Sequence, residues 1–163
     1  MSQRDQTIVE LSAPPRPVLA LRVGVVGHRP GRLQHADSSQ LSEAIRDILK
    51  MIKEQADSFA MRRRHLFSPG PAVLRAISPL AEGTDRQFAD AALALGYELC
   101  VVLPFEPEEF EKDFPTSESV EQFRALKGRA QTVFALDGQR GTEPNAYASA
   151  GSVVINQSDV LIA

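Results

Sequence analysis

The sequence holds a single cysteine, Cys100, so it can form no internal disulfide and no multi-cysteine metal cluster. It has no long apolar run either. The longest stretches, residues 23–26 and 99–105, fall far short of the ~20 residues that span a bilayer. Residues 1–10 carry no apolar h-region, which argues against a secretory signal there and makes the cytosol the expected compartment. An excess of positive charge is also missing. Against 21 Asp and Glu there are 18 Lys and Arg, a net charge of −3, so no global field gathers nucleic acid or an anionic membrane. No G-x-G-x-x-G, Walker, G-x-S-x-G or H-E-x-x-H motif occurs, and neither does an internal repeat. The three histidines, His28, His35 and His65, are not at ligand spacing, and no metal site is expected.

What is present is the balance of a globular chain: 163 residues, 43% hydrophobic and 24% charged, enough for one domain with its own core. Residues 1–17 are polar and end in Ala13-Pro14-Pro15-Arg16-Pro17, which reads as a flexible lead-in, since three prolines in five residues suit neither a helix interior nor a central strand. The domain then occupies residues 18–163. Ala20-Leu21-Arg22-Val23-Gly24-Val25-Val26 is β-branched, short and apolar, the pattern of a strand buried on both faces. Leu41, Ile45, Ile48, Leu49, Ile52, Ala56 and Phe59 follow at helical spacing, with Asp37, Ser38 and Ser39 as available N-caps. After the break at Pro69-Gly70-Pro71, Ala72-Val73-Leu74-Arg75-Ala76-Ile77 is a second strand. Thr84-Asp85-Arg86-Gln87 has the form of a capping box at the head of a helix that Gly96 ends. A third strand lies within residues 97–105, a helical face is marked by Val120, Phe123, Leu126 and Ala130, and a fourth strand is Thr132-Val133-Phe134-Ala135-Leu136. A last helix through Tyr147, Ala150, Val154 and Ile155 leads to a fifth strand, Asp159-Val160-Leu161-Ile162-Ala163. Five strands alternating with helices, with no hairpin signal, predict an α/β, Rossmann-like, doubly wound fold: a mainly parallel five-stranded sheet with helices on both faces.

In such a sheet ligands bind outside the carboxyl ends of the strands, near a topological switch point, so the loops after strands are the candidates. The first is Gly27-His28-Arg29-Pro30-Gly31-Arg32. A glycine admits close approach of a ligand, and Arg29 or Arg32 can pair with phosphate through a planar fork; the alternative is a passive turn with solvated arginines. His28 is either a hydrogen-bonding strut or an acid–base group. The second loop is Leu80-Ala81-Glu82-Gly83-Thr84-Asp85-Arg86, whose free N–H groups at a helix N-terminus suit an anion, while Glu82 or Asp85 suits ribose hydroxyls. Here the alternative is simple capping by Thr84 and Gln87, with Asp85 complementing the helix dipole. The third loop, Leu103-Pro104-Phe105, precedes seven acidic residues between Glu106 and Glu121, set against the one basic residue Lys112. A run of this kind usually forms a solvated face, and near a site it disfavours DNA. Phe105 reads as a core aromatic, Cys100 as a small buried hydrophobe, and Arg62-Arg63-Arg64 as a solvated helix end.

Together, Val23-Gly24-Val25-Val26-Gly27-His28-Arg29, Leu80-Ala81-Glu82-Gly83-Thr84-Asp85-Arg86, Val102-Leu103-Pro104-Phe105 and Ser158-Asp159-Val160-Leu161-Ile162-Ala163 resemble the SLOG superfamily. This Rossmann-like group includes DprA and the LOG, or lysine-decarboxylase-like, proteins. The resemblance covers residues 20–163, and within the group it is to bacterial sequences with G-H-R, L-A-E-G-A-D-R and L-P-F motifs followed by an acidic stretch, here with Phe110, Asp113 and Phe114. Thr84 stands where that subgroup usually has alanine. The resemblance implies binding of a nucleotide or an ADP-ribose-type ligand by a sensor domain coupled to an effector domain or protein, with no cofactor required. It places Gly27, His28 and Arg29 on a phosphate-facing loop and Glu82, Gly83, Thr84, Asp85 and Arg86 on a second ligand loop. The family's Gly-Gly-x-Gly-Thr-type loop, which follows the fifth strand, has no counterpart before Ala163, so the chain reads as part of a longer protein and its catalytic residues stay unassigned. Exposed apolar surface at that edge would allow a homo-oligomer. Two alternatives are a LOG-type phosphoribohydrolase, cleaving an N-glycosidic bond with the help of a carboxylate, and a DprA-like DNA-binding module, against which the net charge and the acidic loop both argue.

Overall fold

The computed structural model describes residues 14–27 and 38–163. Its five strands, β1 (Ala20–Val25), β2 (Val73–Ser78), β3 (Glu98–Leu103), β4 (Thr132–Ala135) and β5 (Val160–Ile162), form one sheet in the order β4-β3-β2-β1-β5. Every pairing is parallel, so the expected α/β, doubly wound architecture is the one observed. The chain steps outward from β1 to β4 and then crosses back to lay β5 on the far side of β1. That reversal puts the topological switch point at the carboxyl end of β1.

The connections are α1 (Ser38–Arg62), α2 (Thr84–Ala94), a short α3 (Pro107–Phe110) continued by a 3₁₀ turn (Glu111–Asp113), α4 (Ser117–Gly128) and α5 (Glu143–Gln157). Because side chains alternate along a strand, the sheet presents two different faces. On one, Val23, Val25, Leu74, Ala76, Leu99, Val101 and Leu103 pack with Ile45 and Leu49 of α1, Phe88 and Ala92 of α2 and Phe123 of α4. On the other, a small cluster of Ile77, Val102, Ala150 and Val154 lies under α5. Tyr97 ties α1 to the start of β3 by donating its hydroxyl to the Leu49 carbonyl at 2.7 Å, and burial pushes its phenol up to about 12. Gly24 lets α5 close on β1, since a Cβ there would stand 2.0 Å from Ser158 Oγ. Among the described residues no helix is long and apolar enough to cross a membrane.

Several local expectations are revised. β2 runs on to Ser78, whose register partner is Val101. The capping box is not formed: α2 starts at Thr84, its N-cap is Gly83 at φ 95°, and no side chain caps it. The positive φ, which only glycine adopts cheaply, moves the helix start so that Thr84 packs against Gly27 and Gln87 Nε2 donates to Ser38 Oγ at 2.9 Å. The acidic connection is not a plain solvated face. Phe110 and Phe114 are buried in the core, and Glu109, Glu111 and Asp113 are paired with arginines, leaving Glu106, Glu108, Glu118 and Glu121 exposed. Residues 14–17 are exposed yet tied down, because the Pro17 carbonyl accepts from Ser68 N–H at 2.9 Å and the Arg16 carbonyl from Ser68 Oγ. Cys100 is half-buried beside the α5 cluster, and Arg62 ends α1 by donating to Ser58 Oγ.

Candidate functional site

At the carboxyl ends of β1, β2 and β3 the loops leave a cavity of about 290 Å³ roofed by α5. Val25, Val26 and Gly27 come from the end of β1, Pro79, Ala81 and Asp85 from the β2–α2 loop and α2, Pro104 and Phe110 from beyond β3, and Tyr147, Ala150, Gly151 and Val154 from α5. This is the position at which an open parallel sheet takes its ligands. The lining side chains are apolar apart from Asp85 and Tyr147, and the described lining carries no lysine or arginine.

The floor is held by a short chain of bonds. Ser78, fully buried at the end of β2, donates its hydroxyl to the Asp85 carbonyl and accepts from Leu80 N–H, both at 3.1 Å. Leu80 itself is fully buried at φ 57°, a conformation costly for a side chain with a Cβ and one that clusters at functional loops. Its carbonyl accepts from Arg86 Nε at 3.1 Å. Gly27 is required on packing grounds, since a Cβ there would come within 2.4 Å of Thr84 Cβ. The β1 end and the head of α2 therefore meet without a spacer.

The structure divides the residues expected at the site. Gly27 and Asp85 both line the cavity, and Thr84 packs against Gly27. Glu82, Gly83 and Arg86 instead line a separate polar cavity between α2 and α4, with Asp90, Glu118 and Gln122. Arg86 is buried and internally engaged. Its Nη1 donates to the Ser119 carbonyl and Oγ, both at 2.9 Å, and to Gln122 Oε1 at 3.2 Å, while the guanidinium lies 4.3 Å over the Phe114 ring. Glu82 accepts from Ser119 Oγ. His28 and Arg29 lie outside the described residues. Among the described residues no group of three or more His, Cys, Asp and Glu could hold a metal ion.

Sequence reasoning missed the α5 side of the cavity. The sequence pattern marks Tyr147 only as a helix-face residue, and nothing in the spacing announces that its hydroxyl donates to Asp113 Oδ2. Its ring meets Phe105 edge-on, with centroids 5.6 Å apart. The one available signal was the pair Ala150-Gly151, small enough to leave room: a Cβ added at Gly151 would meet nothing within 4 Å. Behind this wall Arg140 donates through Nε to Glu109 Oε1 and through Nη1 to Asp113 Oδ1, each at 2.7 Å. Hydrogen bonding to Lys112 and then Arg140 holds the Glu109 carboxyl below its ordinary range, and the same contacts to Glu109 and Asp113 raise the Arg140 guanidinium. Arg124 likewise depresses Glu111.

Such a cavity can enclose a small, flat, uncharged group that presents a hydrogen-bond donor to Asp85. The N-terminal backbone of α2 begins at the rim of the same space. No protein-family model matches the chain, and no curated protein matches it.

Proposed function

We propose that this domain binds a nucleotide or a nucleotide-derived ligand in the switch-point cavity and acts as a sensor domain. The observation that carries the reading is the meeting of Gly27 and buried Asp85 in one largely apolar cavity at the carboxyl end of β1. A base or ribose fits the enclosed, donor-accepting part, with Asp85 receiving an amino or hydroxyl hydrogen and Phe110, Tyr147 and Pro104 offering flat apolar surface. The phosphate end would point out past Gly27 at the end of β1 and towards the head of α2. The resemblance of the glycine-histidine-arginine and Leu80–Arg86 motifs to the SLOG superfamily supports the same ligand class. Within that resemblance Arg86 and Glu82 become supports of the loop rather than ligand contacts, because both are engaged with Ser119.

The test is calorimetry and thermal shift with adenosine monophosphate, ADP-ribose and a nicotinamide dinucleotide. Saturable binding is expected for at least one of them, strongly reduced in Asp85→Ala and in Arg29→Ala. Failure of all three to bind would remove the reading.

A further inference from the structure

The side chains behind the cavity form a connected set that the lining alone does not reveal. Arg140, in the loop between β4 and α5, reaches back to the acidic segment after β3. It bonds Glu109 Oε1, the Glu109 carbonyl and Asp113 Oδ1, and its guanidinium lies 4.5 Å over the Phe105 ring. The other oxygen of the same Asp113 carboxylate accepts from the Tyr147 hydroxyl. Isolated surface ion pairs contribute little, but this one differs in geometry. The arginine fork engages three acceptors and covers an aromatic face, and the Asp113 side chain is only 8% exposed. Tyr147 and Phe110 line the cavity, whereas Arg140 and Asp113 do not.

We propose that Arg140 and Asp113 are positioning residues: they fix the Tyr147 ring as a wall of the cavity and fasten residues 106–114 beside it. Asp113 is the pivot, because one carboxylate serves both the arginine and the phenol. A ligand that packs on Tyr147 then meets a wall already in place and does not have to order it on binding. Affinity is thereby coupled to two residues that never touch the ligand. This consequence rests on the cavity being the nucleotide site; the fixing of Tyr147 does not.

The composition makes the test clean, for the chain has only two tyrosines. Tyr97, bonded to Leu49 under α1, serves as an internal control. With ring-labelled tyrosine in the full chain, Arg140→Ala and Asp113→Asn are each expected to shift the Tyr147 ring signals and speed its ring flips while leaving Tyr97 unchanged. In titrations with adenosine monophosphate each variant is expected to bind about fivefold more weakly, and neither is expected to weaken a Tyr147→Ala background further. Unchanged Tyr147 signals, or equal changes at Tyr97, would overturn the positioning role, as would full additivity with Tyr147→Ala. If the unmodified protein does not bind adenosine monophosphate, that result counts against the nucleotide reading alone, and the tyrosine spectra still decide whether Arg140 and Asp113 hold the ring.

Discussion

The two faces of the sheet are built for different ends. Under α1, α2 and α4 lies an extensive core in which Val23, Leu99, Val101 and Phe88 are at most 1% exposed. Under α5 lies a small cluster of four buried residues, the neighbouring positions Arg22, Arg75 and Glu98 are charged, and the cavity opens at the carboxyl end of the strands. Burial of apolar area is the main source of stability, so the first face holds the fold together. The second buries less area and leaves the cavity open, and its order comes from polar bonds such as Asp113–Tyr147 and Arg22–Asp159.

The contrast breaks most sharply in the core. Phe123→Ala, under α4, is expected to cost about 3–5 kcal/mol in chemical denaturation, whereas Val154→Ala, under α5, should cost about 2 kcal/mol. Equal losses would mean that α5 contributes as much to the core as its opposite layer. Next in size is Gly24→Ala. The Cβ would enter the space of Ser158 Oγ, and a loss of roughly 1–3 kcal/mol is expected from forcing α5 off β1, measured by the same method.

A smaller effect probes the polar bonds of the second face by pH. Hydrogen bonding to Lys112 and Arg140 depresses Glu109, and hydrogen bonding to Arg22 depresses Asp159. A carboxyl whose folded pKa is lowered stabilises the fold above its unfolded value, roughly pH 4, and that contribution fades as pH falls through the folded value. Stability should therefore decline on acidification, and Arg140→Ala should flatten the part of the decline due to Glu109 while leaving the Asp159 part intact. Asp159 is exposed and Glu109 partly so, so the differences are small and need paired melts across the acid range. Smallest of all is Arg75→Ala, which removes an exposed pair with Glu98 and should change stability by less than about 0.5 kcal/mol.

Much of the fold was legible because each strand and helix carries its own period. Val23-Gly24-Val25 could only be a strand buried on both faces, and Ile45, Leu49 and Ala56 could only be the inner stripe of a helix. The sequence marks the loops after β1 and β2 as separate candidates, and it is the structure that brings Gly27 and Asp85 to one cavity. What escaped was set by distance along the chain or by a single torsion. Asp113 and Tyr147 are 34 positions apart and Arg140 and Asp113 are 27 apart, with no local pattern to pair them. The capping box failed on the φ of Gly83, which no periodicity encodes. The side-chain partners of Arg86, Phe114 and Ser119, are likewise distant in sequence, and no local pattern pairs them.

The most direct measurement is isothermal titration of the protein with ADP-ribose and adenosine monophosphate, run beside Asp85→Ala. Saturable binding by the unmodified protein, lost in a variant that melts at the same temperature without ligand, is the predicted result. No saturable binding, or equal binding by both proteins, would contradict a nucleotide site built around Asp85.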